Sequence, residues 1–419
     1  MRSRLVRCVL CFAAFLIAAP RGYSYSVLTH EAIIDSLWKS HIREMLLQRF
    51  PGTSEDELHM AHAYVYGGCV IQDMGYAPFA NRLFSDLGHY MRSGDFVSAL
   101  IKDSTNVDEY AFALGSLAHY ASDSVGHPAI NQIEPQIYPK LAAKYGKVVT
   151  YEDSPTDHIK TEFSLDVIQI ARGLYAPDAL HDFIGFEVAQ DLLDRAFLET
   201  YGVRLKDLVS SEDLAIGTYR FAAGKLIPEA TKIAWDSKRK DIEKLSPGIE
   251  RSKFVYALPA RQYRKNWGNK YKQPGILERF ASFLFRLMPT FGPFKALRFR
   301  PVPPNGEQMF LKSFDATVDR YRNLLEQARA GNLKLPNVNL DTGSPTRAGD
   351  YRLADRAYIS LLDKLANSKY ATVTPELKAN LIQYVDEMDR SKVPAKTAAQ
   401  LNDLRGTSLG PQPASRRNR

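Results

Sequence analysis

The chain has 419 residues, 45% of them hydrophobic and 24% charged, with a formal net charge of +8. That is ordinary globular composition, long enough for one large domain or two of modest size. Only the extreme N-terminus is long and apolar enough to raise a membrane question.

Residues 1–24, "MRSRLVRCVLCFAAFLIAAPRGYS", join a basic start at Arg2, Arg4 and Arg7 to an apolar run. The run, about a dozen residues, is too short to span a bilayer, which disfavours an uncleaved anchor, and it reads as a secretory signal. Small residues at Gly22 and Ser24 suit positions −3 and −1 of a cleavage site and make Tyr25 the first mature residue. The expected location is periplasmic or extracellular. Cleavage removes Arg2, Arg4, Arg7 and Arg21 and no acid, so the formal charge falls from +8 to +4. It also removes Cys8 and Cys11 and leaves Cys69, which cannot form an internal disulfide. The exported chain must then be held by its core or by metal.

The elements that follow are predicted to be helical. "THEAIIDSLWKSHIREMLLQRF" places Ile33, Ile34, Leu37, Trp38 and Ile42 on one side of a helix, with Thr29 as N-cap. "SEDELHMAHAYVYGGCVIQDMG" opens with a capping-box pattern, Ser54 with Glu57, and is expected to break at Gly67-Gly68. "DEYAFALGSLAHYASD" is apolar almost all round and predicts a buried helix. "DHIKTEFSLDVIQIARGLY" and "ALHDFIGFEVAQDLLDRAFLETYG" follow as amphipathic helices. Near 236 the composition turns basic, aromatic and proline-punctuated, the mark of an irregular surface connector. Further helices are expected in "ILERFASFLFRLM", "GEQMFLKSFDATVDRYRNLLEQARAG", "YRLADRAYISLLDKLANS" and "TPELKANLIQYVDEM", with "NLKLPNVNLDTGSPTRAGD" as a loop. The fold class is all-α. The expected division is 1–24 signal, 25–235 as the main domain, 236–404 as a helical region of unassigned role, and 405–419 as a disordered tail by composition.

All nine histidines lie at or before His181. Such crowding points to a metal centre in the N-terminal half. In "HYASDSVGH" the ligand types His119, Asp123 and His127 recur every four residues. Residues four apart on a helix lie about 40° apart around its axis, so His119 and Asp123 share a face and can meet one cation. His127 precedes Pro128 and is expected just past the helix end, turned toward a second cation. His158 and Glu162 in "DHIKTEF" repeat the one-turn spacing; His30, Asp73 in "GGCVIQDMGY" and His89 in "FSDLGHYMRSGDF" are further candidates. Any one such pair is more often a hydrogen-bonded couple, and a lone buried aspartate more often a cap or loop acceptor. It is the accumulation that favours metal. His41, His59, His62 and His181 are assigned no site role, His59 and His62 being read as a solvated face. "HEAII" lacks the second histidine of a zinc-protease motif, with Ile34 in its place.

The ordered series "YSVLTHEA", "GGCVIQDMGY", "LGHY", "HYASDSVGH" and "DHIKTEF" resembles the zinc-dependent phospholipase C family, whose fold is shared by trinuclear-zinc fungal nucleases; the resemblance covers about residues 25–200. It implies up to three zinc ions. One would be held by the amine and carbonyl of Tyr25 with His30, with Asp123 bridging to a neighbour held by Asp73, His89 and His119. The third would take His127, His158 and Glu162. A free α-amine as ligand would give signal cleavage a chemical purpose. The family's first residue is commonly tryptophan, but the ligand atoms there are backbone atoms, and the interval from Asp123 to His127 is shorter than in the best-known members. The implied activity is hydrolysis of a phospholipid phosphodiester by a zinc-bound hydroxide, with Asp73 orienting or deprotonating the nucleophile.

Beside the resemblance, residues 276–300 combine Phe280, Phe283, Leu284, Phe285, Phe291 and Phe294 with Arg279, Arg286, Lys295, Arg298 and Arg300. Such a segment suits an anionic lipid surface, although a core helix with snorkelling arginines is the favoured reading. A secreted nuclease is the first alternative, with Arg261, Tyr263, Arg264, Lys265 and Trp267 against a nucleic-acid strand; the modest charge and lack of disulfides oppose it. A non-catalytic, zinc-stabilised surface-binding protein is the second. It is opposed by a ligand set too small to saturate three ions. No obligate protein partner is indicated.

Overall fold

The structure is a computed structural model that describes residues 27–76, 80–172, 186–209, 211–221 and 299–408, with isolated positions between 232 and 251. Tyr25, the signal segment, His181 and the basic-aromatic stretch 261–298 lie outside the described residues. The fold is all-α; among the described residues the only strands are a two-residue antiparallel pair, β1 (Val338–Asn339) and β2 (Ser344–Pro345), inside the stretch expected to be a loop. No helix among them is long and apolar enough to cross a membrane.

In chain order the first helices are α1 (Val27–Leu37), a widened π turn at Trp38–Ile42, α2 (Arg43–Arg49) and α3 (Glu55–Val70). A 3-10 stretch (Ile71–Tyr76), α4 (Arg82–Tyr90) and α5 (Ser93–Asp103) lead into the long α6 (Val107–Ile137). Then come α7 (Pro139–Tyr145), α8 (Pro155–Ala171), α9 (Gln190–Tyr201) and α10 (Glu212–Phe221). The C-terminal part contributes α11 (Pro304–Arg329), α12 (Arg352–Asn367), α13 (Pro375–Glu387) and α14 (Ala395–Gly406), so helix runs two residues into the segment expected to be a tail.

The axis of the molecule is α6, about 46 Å long at 1.5 Å per residue. It packs chiefly between α3 and α11. The Ser54/Glu57 capping box starts α3 as its sequence predicts. The expected break at Gly67-Gly68 does not occur, because those glycines serve contact rather than chain reversal. A Cβ on Gly68 would stand 1.9 Å from the Phe112 carbonyl oxygen, one on Gly67 1.7 Å from that of Glu187, and one on Gly115 2.0 Å from that of Val65. Backbone therefore meets backbone where α3 crosses α6. Thr29 is likewise no cap: it lies inside α1, and its hydroxyl donates to Asp166 of α8 at 2.5 Å.

The helix also continues through Pro128 and Pro135. A proline inside a helix frees the carbonyl four residues back. The carbonyl freed by Pro135, that of Asn131, accepts from the Val149 N–H at 2.9 Å. The one freed by Pro128, that of Ser124, packs against Gly343, where a Cβ would come within 2.3 Å. Gly343 has φ +67°, so it is suited to that position in both respects.

The α3–α6 crossing predicts the effect of Gly68→Ala. Alanine is the better helix former by about 1 kcal/mol, yet overpacking at this contact should cost about 3 kcal/mol or more. Thermal unfolding should show a lowered midpoint; an unchanged or raised midpoint would contradict the packing described.

Candidate metal centre

His119, Asp123 and His127 form one stripe down α6, all fully buried. The expectation that His127 lies beyond the helix end is corrected: the helix persists, and the third ligand type stays on the stripe about 80° around from the first. Its Nε2 is 3.6 Å from Asp123 Oδ1 and 3.7 Å from Glu162 Oε1.

The other elements bring their side chains to this stripe. From α1, His30 stacks on His119, ring centroids 4.8 Å apart, and its Nε2 is 3.4 Å from Asp123 Oδ1. The 3-10 stretch carries Asp73 and is locked to α4 by Ser85, whose hydroxyl donates to the Gln72 carbonyl and accepts from the Gly75 N–H. That puts Asp73 Oδ1 3.3 Å from His89 Nε2 on α4. His89 Nε2 is also 3.4 Å from Asp123 Oδ2. From α8, His158 Nε2 lies 3.1 Å from Glu162 Oε1. Three sets of ligand atoms converge: His30, His119 and Asp123; Asp73, His89 and His119; His127, His158 and Glu162. All eight candidates within the described residues are thus in one buried cluster. Asp123 joins its parts, Oδ1 facing His30 and His127 and Oδ2 facing His119 and His89. His41 and His59 take no part. His62 is a correction: it is buried, not solvated, stacked on Trp38 at 3.9 Å and 3.2 Å from Asp35.

The arrangement fits a cation. The His89 Nδ1–H donates to the Ser85 carbonyl at 2.8 Å, and that of His119 to the Cys69 carbonyl at 3.0 Å. A carbonyl can only accept, so both Nδ1 atoms carry protons, and each ring in its neutral form presents a lone pair at Nε2. Those Nε2 atoms face each other at 3.2 Å. Two lone pairs at that distance need positive charge between them, a proton or a metal. The carboxylates make the same demand: both oxygens of Asp123 and of Glu162, and His158 Nε2, are buried without a hydrogen-bond partner. Leaving such groups unsatisfied costs about 1–3 kcal/mol each, more when charged. Two ligands on one tetrahedral zinc, each about 2.0–2.1 Å from it, stand about 3.3 Å apart, the range observed here between imidazole and carboxylate.

Electrostatics follow. Burial would lower His89, but the Asp123 and Asp73 carboxylates hold it well above the ordinary histidine range. His30 goes the other way, pushed down to about 3 by burial and by His119. Burial would raise the Asp123 carboxyl, yet His119 and His127 hold it well below its ordinary range. The ligand set is nitrogen and oxygen only; Cys69 is buried with its thiol directed at the Tyr66 carbonyl.

Two residues around the cluster were not singled out from sequence. Glu134 Oε2 accepts from His158 Nδ1 at 3.0 Å, and burial pushes Glu134 up to about 7. It follows His127 by seven residues, two helical turns, so the stripe's own periodicity points to it. Asp341, from the C-terminal part, stands with Oδ1 3.1 Å from His127 Nδ1. No local pattern marks it. Tyr76 and Tyr151 form a neighbouring wall, 5.9 Å apart and 6.1 and 5.8 Å from the rings of His89 and His158.

Residues 29–209 match the family model described as Zinc dependent phospholipase C, an interval that contains all eight clustered ligand candidates. No curated protein and no solved structure matches the chain.

Metal removal tests the centre directly. Dialysis against a strong zinc chelator should lower the thermal midpoint by roughly 5 °C, as expected for loss of about 4 kcal/mol of binding linkage. Added zinc should restore it. A midpoint indifferent to chelator would contradict a metal centre.

Proposed function

We propose, from the membership of residues 29–209 in the zinc-dependent phospholipase C family, that the chain is a zinc-dependent hydrolase that cleaves the phosphodiester of phospholipids. The observation that carries this reading is the buried carboxylate of Asp123, whose oxygens face histidines of all three adjoining ligand groups. Several cations held that close suit a dianionic, pentacoordinate phosphoryl transition state better than a purely structural role.

When bound, zinc supplies Lewis acidity toward phosphoryl oxygens and lowers the pKa of water toward neutrality. The chain's part is to fix the ligands before substrate arrives. His89 and His119 are held by donation to the backbone carbonyls of Ser85 and Cys69, and His158 by Glu134. Such outer partners set ring orientation and tautomer. Burial of the eight described ligand candidates keeps their surroundings dry, where electrostatic stabilisation is strongest. Asp73 is 2% exposed, with Oδ1 3.3 Å from His89 Nε2; we assign it the further role of orienting or accepting a proton from the attacking water. Tyr25 is assigned as the remaining ligand, through its backbone atoms after signal cleavage, with the active protein located outside the cytosol.

Three outcomes test this. The mature protein should release diacylglycerol from phosphatidylcholine vesicles, lose that activity to chelator and regain it with zinc; turnover of single-stranded DNA alone would point to a nuclease, and neither turnover to a non-catalytic protein. Asp123→Asn should bind less zinc and lose at least about 100-fold in turnover. Asp73→Asn with full zinc content and full activity would remove the second role given to Asp73.

A further inference from the structure

The family match ends at residue 209, yet the C-terminal part of the chain reaches the cluster. Residues 335–346 run as a strap over α4, α5 and α6 that is buried at 338–341. The Ser93 hydroxyl donates to the Val338 carbonyl at 2.6 Å, and the Leu340 N–H donates to the carbonyl of His89 itself at 3.0 Å. The Tyr120 hydroxyl donates to the Pro336 carbonyl at 2.8 Å, and the Asn131 side-chain amide to the Asp341 carbonyl at 2.8 Å. Glycines allow the close approach: a Cβ on Gly94 would stand 2.3 Å from the Leu335 carbonyl oxygen.

The strap delivers one carboxylate to the interior. Asp341 is 1% exposed. Its Oδ2 accepts from the hydroxyls of Tyr90 at 2.9 Å and Tyr351 at 2.5 Å, which fixes the carboxylate plane. Its Oδ1 is 3.1 Å from Nδ1 of His127, on the side of the ring away from the cluster. A buried carboxylate opposite the outer nitrogen of an imidazole selects the tautomer with the proton on Nδ1 and leaves the Nε2 lone pair for a metal. Three of the other histidines have outer partners of their own: a backbone carbonyl for His89 and for His119, Glu134 for His158.

We propose that Asp341 is a positioning residue for the metal centre, orienting His127 from outside, so that the C-terminal part of the chain completes the zinc site formed with His158 and Glu162. This rests on the zinc reading above. It gives residues 335–346 a role in metal affinity and makes the centre dependent on sequence beyond the family domain.

The test uses the full-length mature protein, with zinc affinity read by competition against a chromogenic chelator and with cobalt absorption as the spectroscopic readout. Asp341→Asn keeps the shape and the acceptor oxygen while losing the charge. It should weaken one ion of the set by about 10–100-fold, leave the others unchanged, and alter the cobalt bands. Tyr351→Phe removes one of the two hydroxyls on the same carboxylate, keeps its charge and the Tyr90 contact, and should weaken the same ion by clearly less than Asp341→Asn does. Equal loss in both variants, or unaltered affinity in Asp341→Asn, overturns the proposal. A measurement on the wild type is independent of any variant's folding: in zinc-loaded protein with nitrogen-15-labelled histidine, His127 should carry its ring proton on Nδ1. A proton on Nε2 overturns it. A wild-type chain that takes up no zinc removes the premise along with the inference, whereas zinc uptake with an unaltered Asp341→Asn overturns the inference alone.

Discussion

A fully buried aspartate surrounded by four imidazoles is the constraint to which the rest of this structure answers. Asp123 faces His30, His119, His127 and His89 at 3.0–3.6 Å, and the chain offers its oxygens no satisfying hydrogen bond. An uncompensated carboxylate in such a place would cost several kcal/mol and lower the stability of the whole. Protons could relieve part of the demand, but each proton serves one pair. Divalent cations relieve several at once, and the ligand separations are those that a shared cation imposes. The outer nitrogens of His89, His119 and His158 are tied to fixed acceptors, so the inner nitrogens are committed in advance.

Placing so many polar groups together requires a stiff frame. The long helix α6 supplies the stripe, and the glycine contacts at the α3–α6 crossing set how near the Asp73-bearing 3-10 stretch can come. Two prolines interrupt hydrogen bonding in α6 without ending it, because Asn131's freed carbonyl finds Val149 and Ser124's is packed by Gly343. The second of these contacts comes from the C-terminal part. The frame and the site are therefore built from both ends of the chain, with Tyr321 of α11 donating to the Leu114 carbonyl of α6 at 2.9 Å and Asp341 reaching His127.

Much of this was legible in the sequence because metal sites on helices obey local rules. One-turn spacing makes His119–Asp123 and His158–Glu162 visible, and the apolar run before His119 announces a buried helix. Glu134 obeys the same periodicity, two turns beyond His127. What misled was local chemistry overridden by tertiary contact. Gly67-Gly68 reads as a break, but the same absence of a Cβ lets two backbones touch. Pro128 reads as a stop, but the helix continues past it, with Gly343 packed against the freed Ser124 carbonyl. Thr29 reads as a cap, yet its partner Asp166 is 137 positions away in sequence. His62 reads as solvated because Asp35 and Trp38, which bury it, lie a helix away. Asp341 has no local signature at all, since its role exists only through the strap's long-range packing.

The whole arrangement turns on zinc held by imidazole nitrogens and carboxylate oxygens in the Asp123 cluster. Zinc K-edge X-ray absorption on the purified mature protein measures that directly. The expected result is a first shell of nitrogen and oxygen alone at about 2.0–2.1 Å, with the multiple-scattering signature of imidazole. A sulfur shell at about 2.3 Å, which would implicate Cys69, or protein that holds no zinc after purification in its presence, would contradict it.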